Sequence, residues 1–317
     1  MHASRGRAWL LALPVAVAAC SAHGKNEAKT PLVVFTAGSL TRPLKAALDS
    51  FSVATNTTYQ METAGSLETA RKLTELGKVP DVLALADVEV FPQLLMPTHV
   101  SWFATFATNR IVLAKGPKAQ FAAEINASNW WTILQRPGLE VGRADPDVDP
   151  AGYRTLFVFQ LAERDVGQPG LAKALEAASP RRNMRPKSAE LTAMLQAGEL
   201  DYAWEYESVA RAAKLEFVTL SPRVDLGSTA DSATYATAAA RVLGAHVGDT
   251  VTIHGAPVRY GLAIPLKAKN TELAAQFVSF LTSPAGKAIL RREYLPVLDT
   301  LLWTGSNIPA ALSGDRH

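Results

Sequence analysis

The sequence predicts an α/β fold with a parallel sheet, divided into two lobes around a ligand cleft. Apolar strand-like runs alternate with helix-like patterns from Leu32 onward, in the order strand, helix, strand, helix, strand. Two of those strands end in the same five letters, Thr36-Ala37-Gly38-Ser39-Leu40 and Thr63-Ala64-Gly65-Ser66-Leu67, each leading into a helix. A fresh strand at Asn109 to Ala114 then starts beyond those turns, in a chain whose 317 residues hold material for two domains. There the chain is expected to cross into a second lobe.

Arg5 and Arg7 precede Ala8 to Ala19, an apolar stretch too short to span a bilayer, so residues 1–19 read as a secretory signal peptide. The letters before Cys20, Val17-Ala18-Ala19, resemble a bacterial lipobox, which implies cleavage there and a diacylglycerol thioether on Cys20. The alternative is an ordinary signal cleaved near Ala22. Cys20 is the only cysteine, and an exported protein has little use for one unpaired thiol, which favours the lipobox. Residues 20–30 then form a polar leash holding a soluble body to the membrane, facing the periplasm or the cell exterior.

Leu32-Val33-Val34-Phe35 reads as a buried strand, followed by a glycine turn and a helix with Leu40, Leu44, Leu48 and Phe51 on one face. Ser39 is the expected N-cap, and Pro43 falls in the permissive first turn. A helix start points unpaired N–H groups and partial positive charge at what lies beyond the strand, a good place for an anion. The second such mouth, at Ser66, precedes a helix-like run that stops at Gly77. Together the two would clasp one anion; alternatively each serine only caps its own helix.

Val79 to Asp87 is a strand ending in an acidic residue, and Phe91 to Met96 a short helix or turn closed by Pro97. Ser128 is a plausible cap for a short helix through Leu134, whose Trp130 and Trp131 read as packing residues. A strand, Leu139 to Ala144, leads to Asp149, which suits an N-cap, with Pro150 at the first helical position. Asp149 is thus a cap and nothing more, or a carboxylate aimed at a ligand. Helices are expected over Leu171 to Ala178 and from Pro186-Lys187-Ser188 to Gly198. Asp201 to Tyr206 is a strand carrying Glu205 near its end, either a solvated carboxylate or a second acidic ligand group. Arg223 to Ala240 reads as a loop passing into a helix, and Thr250–His254 with Val258–Ile264 as a hairpin. Asn270 starts a helix, Ser283-Pro284 caps and opens the last one, and the tail beyond Trp303 looks loose.

Composition narrows the function classes. At 48% hydrophobic and 19% charged the chain is an ordinary globular one, and its net charge of +3 includes Arg5 and Arg7 of the leader. The mature protein is therefore not basic enough to mark nucleic acid or an anionic membrane surface as a partner. No G-x-S-x-G, Walker loop or dinucleotide fingerprint occurs, and the six histidines have no metal-ligand spacing. A catalytic reading has little to stand on, and no cofactor is expected.

Several runs taken together resemble the tungstate/molybdate-binding proteins of ABC importers, in the branch that coordinates the metal with carboxylates. They are Val33 to Ser39, Ala64-Gly65-Ser66, Pro80 to Ala84, Phe106 to Asn109, Asp149 to Arg154 and Asp201 to Ala210. The resemblance covers nearly the whole mature chain in order. It implies a type II periplasmic-binding-protein-like fold, a monomer without catalysis, and an ABC permease as partner. The first lobe is expected over 31–105 and 266–310, the second over 106–265. It also implies oxyanion contacts from Ser39 and Ser66 in the first lobe and from Asp149, Ala151 and Glu205 in the second. Asp149 and Glu205 would be ligands of the metal itself. Ala151 stands where the branch often has cysteine, a harmless change if its backbone N–H makes the contact; nothing is carried over to the divergent stretch Gly227 to Thr234.

Two carboxylates facing a dianion should repel in a poorly screened cleft, and Arg154, the one cation within the matched motifs, would not offset both. Either the carboxylates bond directly to a metal that expands from four ligands to six, or the carboxyls are protonated and donate hydrogen bonds. Tungsten and molybdenum can expand in this way and sulfur in sulfate cannot, so the acids would turn sulfate away. The first route is the expected one. The rivals are a receptor for another oxyanion, such as sulfate or phosphate, and an exported enzyme or sensor module on the same fold.

Overall fold

The computed structural model describes residues 2, 30–246 and 248–315. The expected signal peptide, Cys20 and the leash up to residue 29 lie outside the described residues. Strands β1 (Leu32–Ala37), β2 (Tyr59–Ala64), β3 (Val82–Leu85) and β4 (Trp102–Thr108) belong to a six-stranded sheet. Between them lie α1 (Thr41–Thr55) and α2 (Ser66–Thr74). The chain then lays down β5 (Ile111–Lys115), α3 (Trp130–Ile133), β6 (Val141–Ala144), α4 (Pro150–Val166) and α5 (Leu171–Ala178). After these come β7 (Met184–Arg185), α6 (Ser188–Ala197), β8 (Tyr202–Tyr206), α7 (Glu207–Ala212), β9 (Phe217–Thr219) and α8 (Ser232–Tyr235). The hairpin strands β10 (Ala239–Leu243) and β11 (Thr250–His254) follow, then β12 (Arg259–Ala263), α9 (Thr271–Thr282), α10 (Pro284–Arg292) and β13 (Val297–Gly305).

The larger sheet runs β13-β4-β12-β3-β1-β2 and the second, five-stranded one β7-β6-β8-β5-β9. β1 lies parallel to both β2 and β3, with Thr36 opposite Thr63 and Ala84, so the two glycine-serine turns emerge at one edge. The apolar run of β1 and β3 is buried on both faces, as a central parallel strand requires. Burying Leu32, Val34, Leu83 and Leu85 contributes about 2 kcal/mol each before chain entropy is counted. Asp81 ties the C-terminal part of the chain to this sheet: its carboxylate accepts from Val33 N at 2.9 Å and from Asn270 N, at the start of α9, at 2.8 Å.

β4 extends to Thr108 and β12 starts at Arg259, and both lie in the larger sheet. The chain therefore leaves the larger sheet after Thr108 and rejoins it at Arg259. The crossing segments meet where Asn109 N donates to Val258 O at 3.3 Å.

Several local expectations need correction. β11 pairs with β10 rather than with β12, so the hairpin lies one strand earlier than its sequence pattern implied. Arg223 to Ala240 holds only the short α8 and the start of β10. Ser39 does not cap α1: it sits inside a single 3-10 turn, Gly38–Leu40, that precedes the helix. Asn129, not Ser128, stands at the N-cap of α3. The described part of the tail is not loose, since β13 pairs with β4 and Leu312 is buried. Asp149 and Ser283 do cap their helices, each followed by proline at the first position. Trp130 packs edge-on against Trp204 at 5.3 Å, as a core residue. Among the described residues no helix is long and apolar enough to cross a membrane.

Candidate ligand-binding site

β6 ends one residue before Asp145, and the turn Asp145–Asp149 delivers Asp149 to the mouth of α4. Its Oδ1 accepts from Ala151 N at 2.9 Å and its Oδ2 from Ser188 N, at the start of α6, at 3.2 Å. The side chain is 3% exposed. Burial raises its pKa from 3.8 to about 6, against the pull of the Ala151 and Ser188 N–H groups and the Arg154 charge. Glu205 sits on β8 with no exposed surface. Its Oε1 accepts from Thr192 Oγ1 at 3.3 Å, while Oε2 is buried without a hydrogen-bond partner among the described residues. Burial, and then the nearby Asp149 charge, push Glu205 well above the usual carboxylate range, with Thr192 and the Tyr206 N–H opposing. The structure thus brings the two acids together, buried and facing inward.

Ser39 is also buried, its Oγ without a hydrogen-bond partner among the described residues, and it lies close enough to Tyr260 to influence that hydroxyl. Ser66 is fully buried, and its Oγ accepts from Ala86 N at 2.9 Å. Accepting leaves its own O–H free to donate. The mouth of α2 is occupied differently from the expectation: Leu67 N and Glu68 N, at 3.2 and 3.4 Å, point at Val148 O of the opposite lobe. Gly65 makes that approach possible, since a Cβ there would stand 2.0 Å from Val148 O. Ala151 is buried and its N–H donates to Asp149.

Arg154 does not neutralise the acidic pair. Its guanidinium reaches across the cleft to Ala86 O at 2.6 Å and Asp87 Oδ2 at 3.2 Å, and donates to Tyr206 Oη at 2.7 Å. Burial works against its charge, but Asp87 and the tyrosines around it hold its pKa above the ordinary value. The Tyr153 hydroxyl donates to Asp87 as well.

Sequence reasoning missed four participants. Ser188 opens α6 beside Asp149, with its Oγ buried and unpartnered among the described residues. Thr192 follows one turn later. Tyr260 and Asn109 form a polar knot where the chain crosses, Asn109 Nδ2 donating to Ser208 Oγ at 2.7 Å and to Tyr260 Oη at 3.0 Å. Ser188 shared the helix-start signal that drew attention to Ser39 and could have been found by it; nothing local marks Tyr260.

A cavity of about 430 Å³ reaches this cluster, with Ser39 and Thr192 on its wall and Arg42 and Lys214 among its outer residues. Two larger hollows lie elsewhere. One of about 730 Å³ adjoins the crossing strands, where Arg110 and Arg211 are already paired with Glu207. The other, about 1050 Å³, is an apolar groove along α9. The buried acids and free hydroxyls make the interlobe cluster the better candidate, because buried polar atoms without partners are rare and ask for a ligand.

Comparison with known proteins agrees with this architecture. A family model described as bacterial extracellular solute-binding protein matches residues 32–294. An uncharacterized solute-binding protein of Petrotoga mobilis is 39% identical, over 84% of each chain. The molybdate/tungstate-binding protein WtpA of Pyrococcus abyssi is 32% identical, over 96% of each chain. Among solved structures, the sulfate-binding protein SubI from Mycobacterium tuberculosis H37Rv superposes with a TM-score of 0.61 at 14% identity, covering 85% of this chain and 88% of that one. That likeness speaks to the fold, two sheets with a cleft between them. The chain belongs to the bacterial extracellular solute-binding protein family.

Proposed function

We propose that the protein captures tungstate or molybdate outside the cytoplasm and hands it to an ABC importer, with Asp149 and Glu205 bonding to the metal. The observation that carries this reading is the buried acidic pair, of which Glu205 keeps one oxygen without a partner among the described residues. A site built for sulfate needs donors, and two buried acids are a poor match for an anion whose central atom accepts no further ligand. A tetrahedral oxo-metal can instead take a lone pair from each carboxylate: two bonds to the metal form, none of its four breaks, and the carboxyl protons leave to solvent. Ser39 and Ser66 donate to the oxo oxygens, and Ala151 N–H joins them if Asp149 turns toward the metal. The relative of known ligand supports this choice, whereas the fold shared with a sulfate receptor does not discriminate.

Calorimetry with tungstate, molybdate and sulfate tests the reading. Nanomolar to micromolar binding of the first two with far weaker sulfate is expected, and Asp149→Ala or Glu205→Ala should cost at least about a hundredfold, or roughly 3 kcal/mol. Titrations near pH 5 in buffers of different ionisation enthalpy separate the two modes of contact. Direct coordination releases protons, whereas protonated carboxyls acting as donors release none. Sulfate binding as tight as tungstate, or alanine variants with intact affinity, would overturn the proposal.

The same reading takes the protein as a monomer tethered through a lipid on Cys20. Cys20→Ala should move it from the membrane fraction to the soluble one without altering anion affinity. Closure of two lobes around the anion, about the crossings near Asn109 and Val258, replaces catalysis.

A further inference from the structure

α6 carries Ser188 and Thr192 one turn apart, so both lie on one face. That face meets both acids: Ser188 N donates to Asp149 Oδ2 at 3.2 Å, and Thr192 Oγ1 donates to Glu205 Oε1 at 3.3 Å. The two carboxyls are left in different states. Asp149 has a backbone donor on each oxygen. Glu205 has one oxygen held by Thr192 and the other, Oε2, buried with no partner among the described residues. Thr192 also lines the cavity of about 430 Å³ that Ser39 shares, so one residue touches both the open space and the Glu205 carboxyl.

We propose that Thr192 is a positioning residue that fixes which oxygen of Glu205 reaches the metal, and so sets the preference for tungstate or molybdate over sulfate. The terminal torsion of a glutamate is broad and nearly two-fold, so a buried carboxyl with two free oxygens has no fixed donor. A hydroxyl bonded to Oε1 removes that freedom and leaves Oε2 as the donor atom. A single lone pair directed at the metal suits expansion to six ligands. A freely turning carboxyl would meet the oxo oxygens as often as the metal. Sulfate gains nothing from this arrangement, because its sulfur takes no further ligand. The inference rests on the coordination proposed above and adds to it the residue that orients one of the two ligands.

The test compares wild type, Thr192→Val, Thr192→Ser and Glu205→Gln, each checked for folding by circular dichroism. Affinities for tungstate and for sulfate are measured by calorimetry, and the molybdate complexes by Mo K-edge X-ray absorption. Valine keeps the shape and deletes the hydroxyl, while serine keeps the hydroxyl and deletes the methyl. Thr192→Val should weaken tungstate about tenfold with sulfate unchanged, and its molybdate complex should regain the intense pre-edge feature of a tetrahedral centre. Thr192→Ser should stay within about twofold of wild type by both measures. Three results would overturn the role: Thr192→Val binding like wild type, serine failing like valine, or equal losses for tungstate and sulfate. Should wild type fail to bind tungstate, or Glu205→Gln bind it unimpaired, the coordination reading itself falls and takes this inference with it. A lost Glu205→Gln complex beside a silent Thr192→Val would sink the role of Thr192 alone.

Discussion

At the start of α4 the Asp149 carboxyl serves two demands on the same atoms, holding the helix start through Ala151 N–H and facing the buried Glu205. Its capping role was legible in the sequence, because Asp followed by Pro before an apolar periodic run has few other readings. The ligand role proposed for it came only through the family resemblance, since a cap and a ligand leave the same letters. Burial raises its pKa from 3.8 to about 6. A carboxyl whose pKa is higher in the folded chain stabilises the fold fully below its unfolded value, and that contribution is lost as pH rises through the folded value. Between about pH 4 and pH 7 the unliganded protein should therefore lose about 3 kcal/mol on this account. Glu205 shifts in the same direction and adds to the loss. Thermal unfolding in anion-free buffer should show the midpoint falling across that window. Asp149→Asn should flatten the fall, because Asn caps a helix as well and carries no proton to lose. A midpoint that rises with pH, or an unchanged slope in the Asn variant, would contradict the assignment.

Among the elements, the two glycine-serine turns show how far identical letters can diverge. Both open helices in the first lobe, as their pattern implied, yet their glycines do different work. A Cβ on Gly38 would find Lys187 Cβ at an ordinary 3.7 Å, whereas one on Gly65 would run into the Val148 carbonyl. Gly65→Ala should therefore hold the lobes apart, lowering affinity for every anion by about tenfold or more while leaving the unliganded unfolding midpoint within a few degrees. Gly38→Ala should leave affinity nearly unchanged. Calorimetry on the two variants decides, and equal effects would show that the approach of Val148 to α2 is not needed for binding. The sequence could not separate these glycines because the difference lies in a partner far along the chain. The same cause hid β4 and β13, which pair with each other although well over half of the chain separates them, and gave β11 to the wrong neighbour. Local pattern marks a strand; it carries no information about which distant strand completes it.

Across the whole molecule, the lobes are joined by protein contacts as well as by whatever the cleft holds. Arg71 donates to Asp147 O at 2.7 Å, Thr74 Oγ1 to Ala245 O at 2.6 Å, and Arg42 to Ala212 O at 2.8 Å. The most buried of these bridges is Arg154 with Asp87, completed by Tyr153. Opening the lobes would return both charges to water, so the pair adds little closed-state stability by itself but penalises any geometry in which only one partner is satisfied. Asp87→Asn should create that situation, leaving a buried guanidinium facing a neutral amide. The closed state then loses population, and apparent affinity falls with the fraction of molecules able to bind. Tungstate and molybdate should weaken together, about tenfold to a hundredfold, with their ratio to sulfate unchanged. Small-angle scattering of the unliganded variant should give a larger radius of gyration than wild type. This separates the scales of control: Thr192 changes which anion is preferred, Asp87 changes how readily any anion is enclosed. A variant that altered the tungstate-to-sulfate ratio without altering the radius would place Asp87 in the ligand shell instead of the lobe contact.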